Sequence, residues 1–388
     1  MYLELHVTII TELSLPAPSS PPSHETPSQS SRQSQNPPQE PTLTSPSAHN
    51  KPLSPLSDSD LNCTLTYTGV DTSEIDLSPS RNLLTRTALY LLRCHGHHTF
   101  PAQTTIHIYN PIPLGRGLGS SGAAVVAGVM LGNLSAGLNL PKSRLLDYCL
   151  MIERHPDNVA AALYGGFVGT YLNDLDPEAT ARKEIPLSEV LPAPAGGVDT
   201  GFKPPEPPVG IGHFRRFGWA REIKAVAVIP NFEVSTAKAR EVLPETYKRQ
   251  DMVGSYTRFL WEAHCTVLLI RIQIFNLQRL CLLVSALSDS PPDAELIYAA
   301  MRDKIHQPYR QTLIPGLTSI LDSVKPSTHK GLLGICLSGA GPTILALATE
   351  NFEAIADVII KRFAQEGIQC DWKVLEPAED GATVQAVS

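Results

Sequence analysis

The chain has no cysteine pair. Its seven cysteines are scattered from Cys63 to Cys370 without a C-x-x-C among them, which excludes a zinc ribbon and a disulfide framework and fits a reducing, cytoplasmic setting. There is no excess of basic charge. Lys plus Arg number 31 against 38 for Asp plus Glu, a formal charge of −7, so the electrostatic footprint of a nucleic-acid binder is missing. Long apolar runs are missing too. The longest late run, around Thr266 to Ile270, is cut by Arg271, well short of the roughly 20 residues a membrane span needs. Met1 to Ile10 carries no positive flank and no small-residue cleavage site, so it reads as a strand and not as a secretory signal. Neither a Gly-Lys-Ser/Thr phosphate loop nor the H-R-D and D-F-G signatures of protein kinases occur.

What is present divides the chain. Between Pro16 and Pro55 lie 11 of its 34 prolines, mixed with Ser, Thr and Gln. A segment so poor in apolar residues cannot bury a core, and residues 11–60 read as a disordered excursion after a strand at residues 1–10. From Leu61 the pattern is that of a packed domain. NCTLTYTG alternates as a strand, Asn82 to Cys94 places apolar residues at helical spacing, and Thr104 to Asn110 alternates again. Leu191 to Gly212, rich in Pro and Gly, reads as a boundary between domains at 61–205 and 213–388. HFRRFGWAR, His213 to Arg221, reads as a solvated crossing, and KAVAVIPNFEV as a buried strand.

The most informative stretch is PIPLGRGLGSSGAAVVAGVMLGNL. Gly115, Gly117, Gly119 and Gly122 let backbone approach a ligand, and Ser120 and Ser121 place hydroxyls where a helix begins. Such a terminus attracts phosphate. By spacing alone Gly117 to Gly122 also satisfies the dinucleotide pattern G-x-G-x-x-G. Pro111 and Pro113 separate the glycines from the preceding strand, however, and no acidic residue closes a following strand at the expected distance.

PLGRGLGSSGAA resembles the second motif of the GHMP small-molecule kinases. IERHPDNVAAALYGGFVG (Ile152 to Gly169) and HQPYRQTLIPG (His306 to Gly316) are similar to the homoserine kinase branch, of the fungal type, and GICLSGAGPTILAL (Gly334 to Leu347) resembles the family's third motif. The resemblance implies an α+β fold of two domains. The first would hold a left-handed βαβ unit around the phosphate loop, the second would be ferredoxin-like. It implies transfer of the ATP γ-phosphoryl group to the side-chain hydroxyl of L-homoserine, with Mg²⁺, in threonine biosynthesis.

The same resemblance implies roles. Pro113, Leu114, Gly115, Arg116, Gly117, Leu118, Gly119, Ser120, Ser121 and Gly122 would hold ATP, joined by Ser338, Gly339 and Gly341 of the second glycine loop and by Asn82 near the adenine. Ser120, with Ser121 as the alternative hydroxyl, and Glu153 would hold Mg²⁺, for which hydroxyl, carboxylate and phosphate oxygens are suitable ligands. His155 and Asp157 would face homoserine, Asn158 the attacking hydroxyl, and Arg240 and Arg310 the substrate carboxylate, which a guanidinium fork can grip bidentately. On the residues alone, Glu153 also reads as a solvated helix carboxylate and either arginine as a surface residue. Cys94-His95-Gly96-His97-His98 carries metal-ligating side chains in one short segment without distant partners, and is assigned no metal.

Two departures from the family pattern stand out. Its first motif has no counterpart, Met1 to Ile10 resembling the strand that follows that motif, so the chain is expected to start late. GSYTRFLWEAHCTVLLIRIQI, residues 254–274, separates DMV from FNLQRL as an apparent insertion or translated intron. Three readings therefore stand: a homoserine kinase, another GHMP kinase acting on mevalonate or a sugar, and a truncated noncatalytic GHMP-like protein. No nucleic acid or membrane partner is expected, and a homodimer is left open.

Overall fold

A computed structural model of the chain describes residues 4–9, 57–174, 204, 206–244 and 269–385. The Pro- and Ser-rich segment up to residue 56, residues 191–203 of the expected boundary and residues 254–268 of the expected insertion lie outside them.

Three strands form the first sheet: β1 (Glu4–Ile9), β2 (Cys63–Gly69) and β3 (Thr104–Asn110), in the order β1-β3-β2. β2 runs parallel to β3, with helix α1 (Leu83–Cys94) as the crossover, and β1 lies antiparallel on the other side of β3. Before β2, residues of the expected disordered segment turn through a short 3-10 helix (Asp58–Leu61) whose Leu61 is buried. Alternation sends Leu65, Ile106 and Ile108 inward against Leu84, Ala88 and Leu92 of α1 and Leu131 of helix α2 (Ser120–Ser135). Gly128 and Gly132 let α2 lie on the backbone of α1, since a Cβ there would fall 2.4 Å from Leu84 O and 2.8 Å from Ala88 O. Helices α3 (Lys142–Glu153) and α4 (Pro156–Tyr164) complete this layer, with Val125, Val129, Leu145, Tyr148, Cys149 and Leu163 as its core.

The antiparallel pair β4 (Phe167–Leu172) and β5 (Gly212–Phe217) follows. The expected solvated crossing is therefore in large part a strand. Its alternation gives the reason: Phe214 stacks on Tyr164 with ring centroids 3.5 Å apart, and Phe217 and Trp219 lie against Phe167.

The second sheet contains β6 (Lys224–Pro230), β7 (Leu332–Leu337), β8 (Ile344–Ala348) and β9 (Cys370–Leu375) in the antiparallel order β7-β8-β6-β9. Between β6 and β7 come α5 (Thr236–Glu241), α6 (Leu269–Ala286), α7 (Ala294–Ala300), α8 (Gln307–Arg310) and α9 (Leu317–Ser323), and α10 (Phe352–Gln365) joins β8 to β9. Taken in chain order across the sheet this is 4-1-3-2, the ferredoxin-like arrangement. The apolar run of β6 is buried on both faces, as an uninterrupted run predicts. Val226 and Val228 meet Leu317, Ile359 and Phe363 on one side, while Ala225 belongs with Leu287, Ile297 and Leu347 to the cluster on the other. Residues 269–274 of the expected insertion are continuous with FNLQRL in α6. Among the described residues no helix is long and apolar enough to cross a membrane.

Candidate active site

Asn110 ends β3 and turns the chain. Its side chain accepts from Ile112 N at 3.0 Å and donates to Ser120 Oγ at 3.3 Å. The glycine loop then passes through left-handed backbone at Gly115, Gly117 and Gly119 (φ 59°, 73° and 76°) before α2 begins at Ser120. The first amides of a helix have no partner within it, so this loop presents unspent N–H groups together with the positive end of a 16-residue helix.

Two other segments grip the loop. Val234 N donates to Gly115 O at 3.1 Å, Thr343 N to Arg116 O at 3.3 Å, and Ser338 Oγ to Gly117 O at 2.7 Å. The second glycine loop thus sits directly on the first. A Cβ on Gly117 would lie 2.3 Å from Ser338 O. Arg116 is nearly buried and pairs with Glu233 at 3.2 Å.

The turn between α3 and α4 faces this loop. Arg154 takes left-handed backbone (φ 64°) and ends α3, and Pro156 starts α4 at once. Glu153, His155, Asp157 and Asn158 are thereby set close to the start of α2. Ser121 Oγ donates to Glu153 Oε1 at 3.2 Å, His155 Nδ1 lies 2.7 Å from Asp157 Oδ1, and His155 Nε2 lies 3.6 Å from Glu153 Oε1. Of the two serines, Ser121 meets the carboxylate, while Ser120 bonds to Asn110. Successive helical side chains diverge by about 100°, a difference that the spelling Ser-Ser conceals.

All of these groups open on one cleft of about 1080 Å³, at the large end of small-molecule sites and roomy enough for two substrates. Of the sequence-derived candidates, Pro113 to Ser121, Asn82, Glu153, His155, Asp157, Asn158, Arg240, Arg310, Ser338 and Gly339 line it. Gly122 and Gly341 do not. A Cβ on Gly122 would stand 2.9 Å from that of Asn158, and one on Gly341 would stand 2.6 Å from Ile314 Cδ1, so both glycines serve close packing behind the wall. Asn82 lines the cleft but spends both ends of its amide on the protein, accepting from Leu84 N as the cap of α1 and donating to Asp76 O at 2.9 Å. Arg240 is exposed at the end of α5. Arg310 is half-buried and donates through Nε to Ala239 O at 3.3 Å and through Nη1 to Gly339 O at 2.7 Å. Burial pulls its pKa down and neighbouring Arg240 adds to that, opposed by Asp303, yet a guanidinium stays charged at any working pH.

Sequence reasoning missed several lining groups. Tyr67, Ile75, Leu83 and Ile108 form an apolar wall, and Arg81 is tied to Asp76 at 2.8 Å. Asp303, His306 and Gln307 lie beside Arg310. Burial pushes the Cys336 thiol up to about 12, a neutral and inert group. The only signal in sequence was the closeness of Asp303 to HQPYR. Cys94 is buried in the helical core and His95 Nε2 meets Tyr148 Oη at 2.9 Å, so these two side chains serve packing, while His97 and His98 are exposed.

Among the described residues no lysine lines the cleft, and Arg81 and Arg116 are committed to carboxylates. No group of three or more His, Cys, Asp or Glu side chains among the described residues could hold a metal alone. Glu153 with Ser121 offers two adjacent hard oxygens. That donor set fits a magnesium ion that takes its other ligands from phosphate and water.

Family models for the GHMP kinases match this chain, the N terminal domain over residues 82–166 and the C terminal over residues 283–365. The homoserine kinase of Saccharomyces cerevisiae is 58% identical over 326 residues, 84% of this chain and 85% of that protein. The homoserine kinase of Candida albicans is 48% identical, over 83% of this chain and 85% of that protein. Among solved structures, a homoserine kinase from Cytophaga hutchinsonii superposes with a TM-score of 0.58 at 25% identity, covering 82% of this chain and 83% of its own.

Proposed function

The chain belongs to the homoserine kinases of the GHMP kinase family, and from that premise we propose that it transfers the γ-phosphoryl group of ATP to the side-chain hydroxyl of L-homoserine, giving ADP and O-phospho-L-homoserine. The observation that carries the reading is the composition of the cleft. A glycine-lined helix start stands at one wall, and Asp157 with two guanidiniums, Arg240 and Arg310, supplies opposite charges for a zwitterion. A sugar or mevalonate needs no such pair.

Phosphoryl transfer through a loose transition state asks mainly for positioning and charge neutralisation. The N–H groups of Gly117 to Gly122 hold the phosphates, and the wall of Tyr67, Ile75, Leu83 and Ile108 takes the base. Asn82 holds the rim of that wall. With no lysine among the described residues of the cleft, neutralisation falls to the helix terminus and to Mg²⁺, which Glu153 and Ser121 would hold. Bound there, the ion would draw charge from the phosphate oxygens. Arg240 and Arg310 receive the homoserine carboxylate, Asp157 its ammonium group, and His155 keeps Asp157 in place through their 2.7 Å contact. Asn158 orients the hydroxyl, whose oxygen bonds to the γ-phosphorus as the bond from that phosphorus to the ADP oxygen breaks. The hydroxyl proton leaves late, to an oxygen of the transferred phosphoryl group and from there to water, so no strong base is required. The product belongs to a route that makes threonine, in the cytoplasm.

The test is ADP release by the purified chain with ATP, Mg²⁺ and L-homoserine, beside parallel reactions with mevalonate and galactose. Turnover with homoserine alone is the expected result. Turnover preferring another acceptor would overturn the choice of substrate, and none with any acceptor would favour the noncatalytic reading.

A further inference from the structure

Apart from Asp76, which is tied to Arg81, phosphoryl transfer as described assigns no task to two carboxylates of the cleft, Glu74, which is exposed, and Asp303. Asp303 lines the cleft with only 15% of its side chain exposed, and the reaction has no need of another negative charge beside a substrate carboxylate. It is nevertheless the best-connected acid in the site. Its oxygens accept from Ile305 N at 3.0 Å, His306 N at 2.8 Å, Gln307 N at 2.6 Å and Asn276 Nδ2 at 2.5 Å. The Asn276 side chain in turn accepts from Lys304 N at 3.2 Å. Burial alone would raise the Asp303 pKa, but the His306 side chain, whose Nδ1 lies 3.6 Å from Oδ1, outweighs it together with the Gln307, Ile305 and Asn276 donors and holds the carboxyl well below the usual range.

The bonds converge on the entry to α8, a helix of four residues that one turn cannot stabilise by itself. What α8 carries into the cleft is Arg310. Gln307, held by Asp303, accepts through Oε1 from Leu337 N at the end of β7, and Arg310 then spans from Ala239 O on α5 to Gly339 O in the second glycine loop. Asp303 also carries the charge that offsets the crowding of Arg310 by Arg240.

We propose that Asp303 is the positioning residue of the amino-acid carboxylate subsite: it fixes α8, hence the guanidinium of Arg310, and lets two arginines share one wall of the cleft. The proposal rests on the homoserine kinase reading. Asp303 does not touch the reacting atoms and acts through Arg310.

The experiment is a double-mutant cycle between Asp303→Asn and Arg310→Ala in the full chain, with KM for L-homoserine, KM for ATP and kcat measured separately. Asp303→Asn should raise the homoserine KM by about tenfold, the size of one charge-assisted contact, with ATP KM and kcat nearly unchanged. In the Arg310→Ala background it should add less than about twofold, because the residue through which it acts is gone. Asp303→Glu should recover part of the loss. If Asp303→Asn does not fold, Asn276→Ala, which removes one of the donors, should raise the homoserine KM by a smaller factor with the same selectivity. An unchanged homoserine KM, a parallel fall in kcat and ATP affinity, or full additivity with Arg310→Ala would each overturn the proposal. Wild-type chain that is inactive on L-homoserine would reject the substrate reading and the proposal together. Active wild type with any of those three results rejects the proposal alone.

Discussion

Replacing Gly117 by alanine tests the site at its most constrained point. Gly117 has φ of 73°, where an alanine costs about 1–2 kcal/mol. Its new Cβ would lie 2.3 Å from Ser338 O and 2.9 Å from Gly341 N, about 1 Å inside ordinary contact on the nearer side. Both neighbours are backbone and cannot rotate away, so the two glycine loops must separate. The Ser338 to Gly117 hydrogen bond then goes, about 1 kcal/mol more, for a total near 2–3 kcal/mol of stability. The catalytic cost is larger, because a misplacement of about 1 Å in a preorganised site reduces rate by about a hundredfold. Gly137→Ala is the control: φ is 61°, yet nothing lies within 4 Å of its Cβ, so it should lose only the 1–2 kcal/mol of backbone strain and keep full turnover. Urea unfolding and steady-state kinetics with varied ATP would be run on both. Gly117→Ala with kcat/KM for ATP within threefold of wild type would refute the reasoning, as would equal inactivity of Gly137→Ala.

Glu153→Ala should abolish most Mg²⁺-dependent turnover while leaving urea stability within about 1 kcal/mol, because the lost bond from Ser121 is a single hydrogen bond; Ser121→Ala should fall in the same direction and Ser120→Ala much less, as titration of activity with Mg²⁺ will show. Gly122→Ala should lower kcat more than either KM, since its Cβ would press on Asn158 and not on the phosphate loop; equal effects on the ATP KM would place that pressure elsewhere. Arg240→Ala should raise the homoserine KM by about tenfold and leave the ATP KM alone; loss of ATP affinity would remove it from the carboxylate subsite. The depressed Asp303 carboxyl contributes stability that is fully present above the ordinary aspartate pKa of about 3.9 and is lost as pH falls through its lower folded value. The stability gap between wild type and Asp303→Asn should therefore be flat from pH 5 to 8 and narrow under acid, as urea titrations across pH will show.

Local pattern carried the first half of the argument. Alternation placed β2 and β3, helical spacing placed α1, and the Gly-Leu-Gly-Ser-Ser-Gly spelling gave both the loop and the start of α2 at Ser120, because each of these depends on periods of two and 3.6 residues and on glycine's freedom at positive φ. The motifs at Ile152 and Gly334 likewise named groups that do reach the cleft. Tertiary structure decided what period and spelling leave open. It chose Ser121 over Ser120 as the neighbour of Glu153, since which side chain points where depends on how α2 is rotated against α3. It withdrew Gly122 and Gly341 from the lining, and it made His213 to Phe217 a strand through stacking on residues some 50 positions earlier. Asp303 is the sharpest case. In sequence it is one acid among 38, and it gains its place only where the turn before α8 folds three backbone amides around it, with Asn276 reaching in from a different helix. Contacts between distant segments have no period to betray them, so they become legible only once the chain has folded.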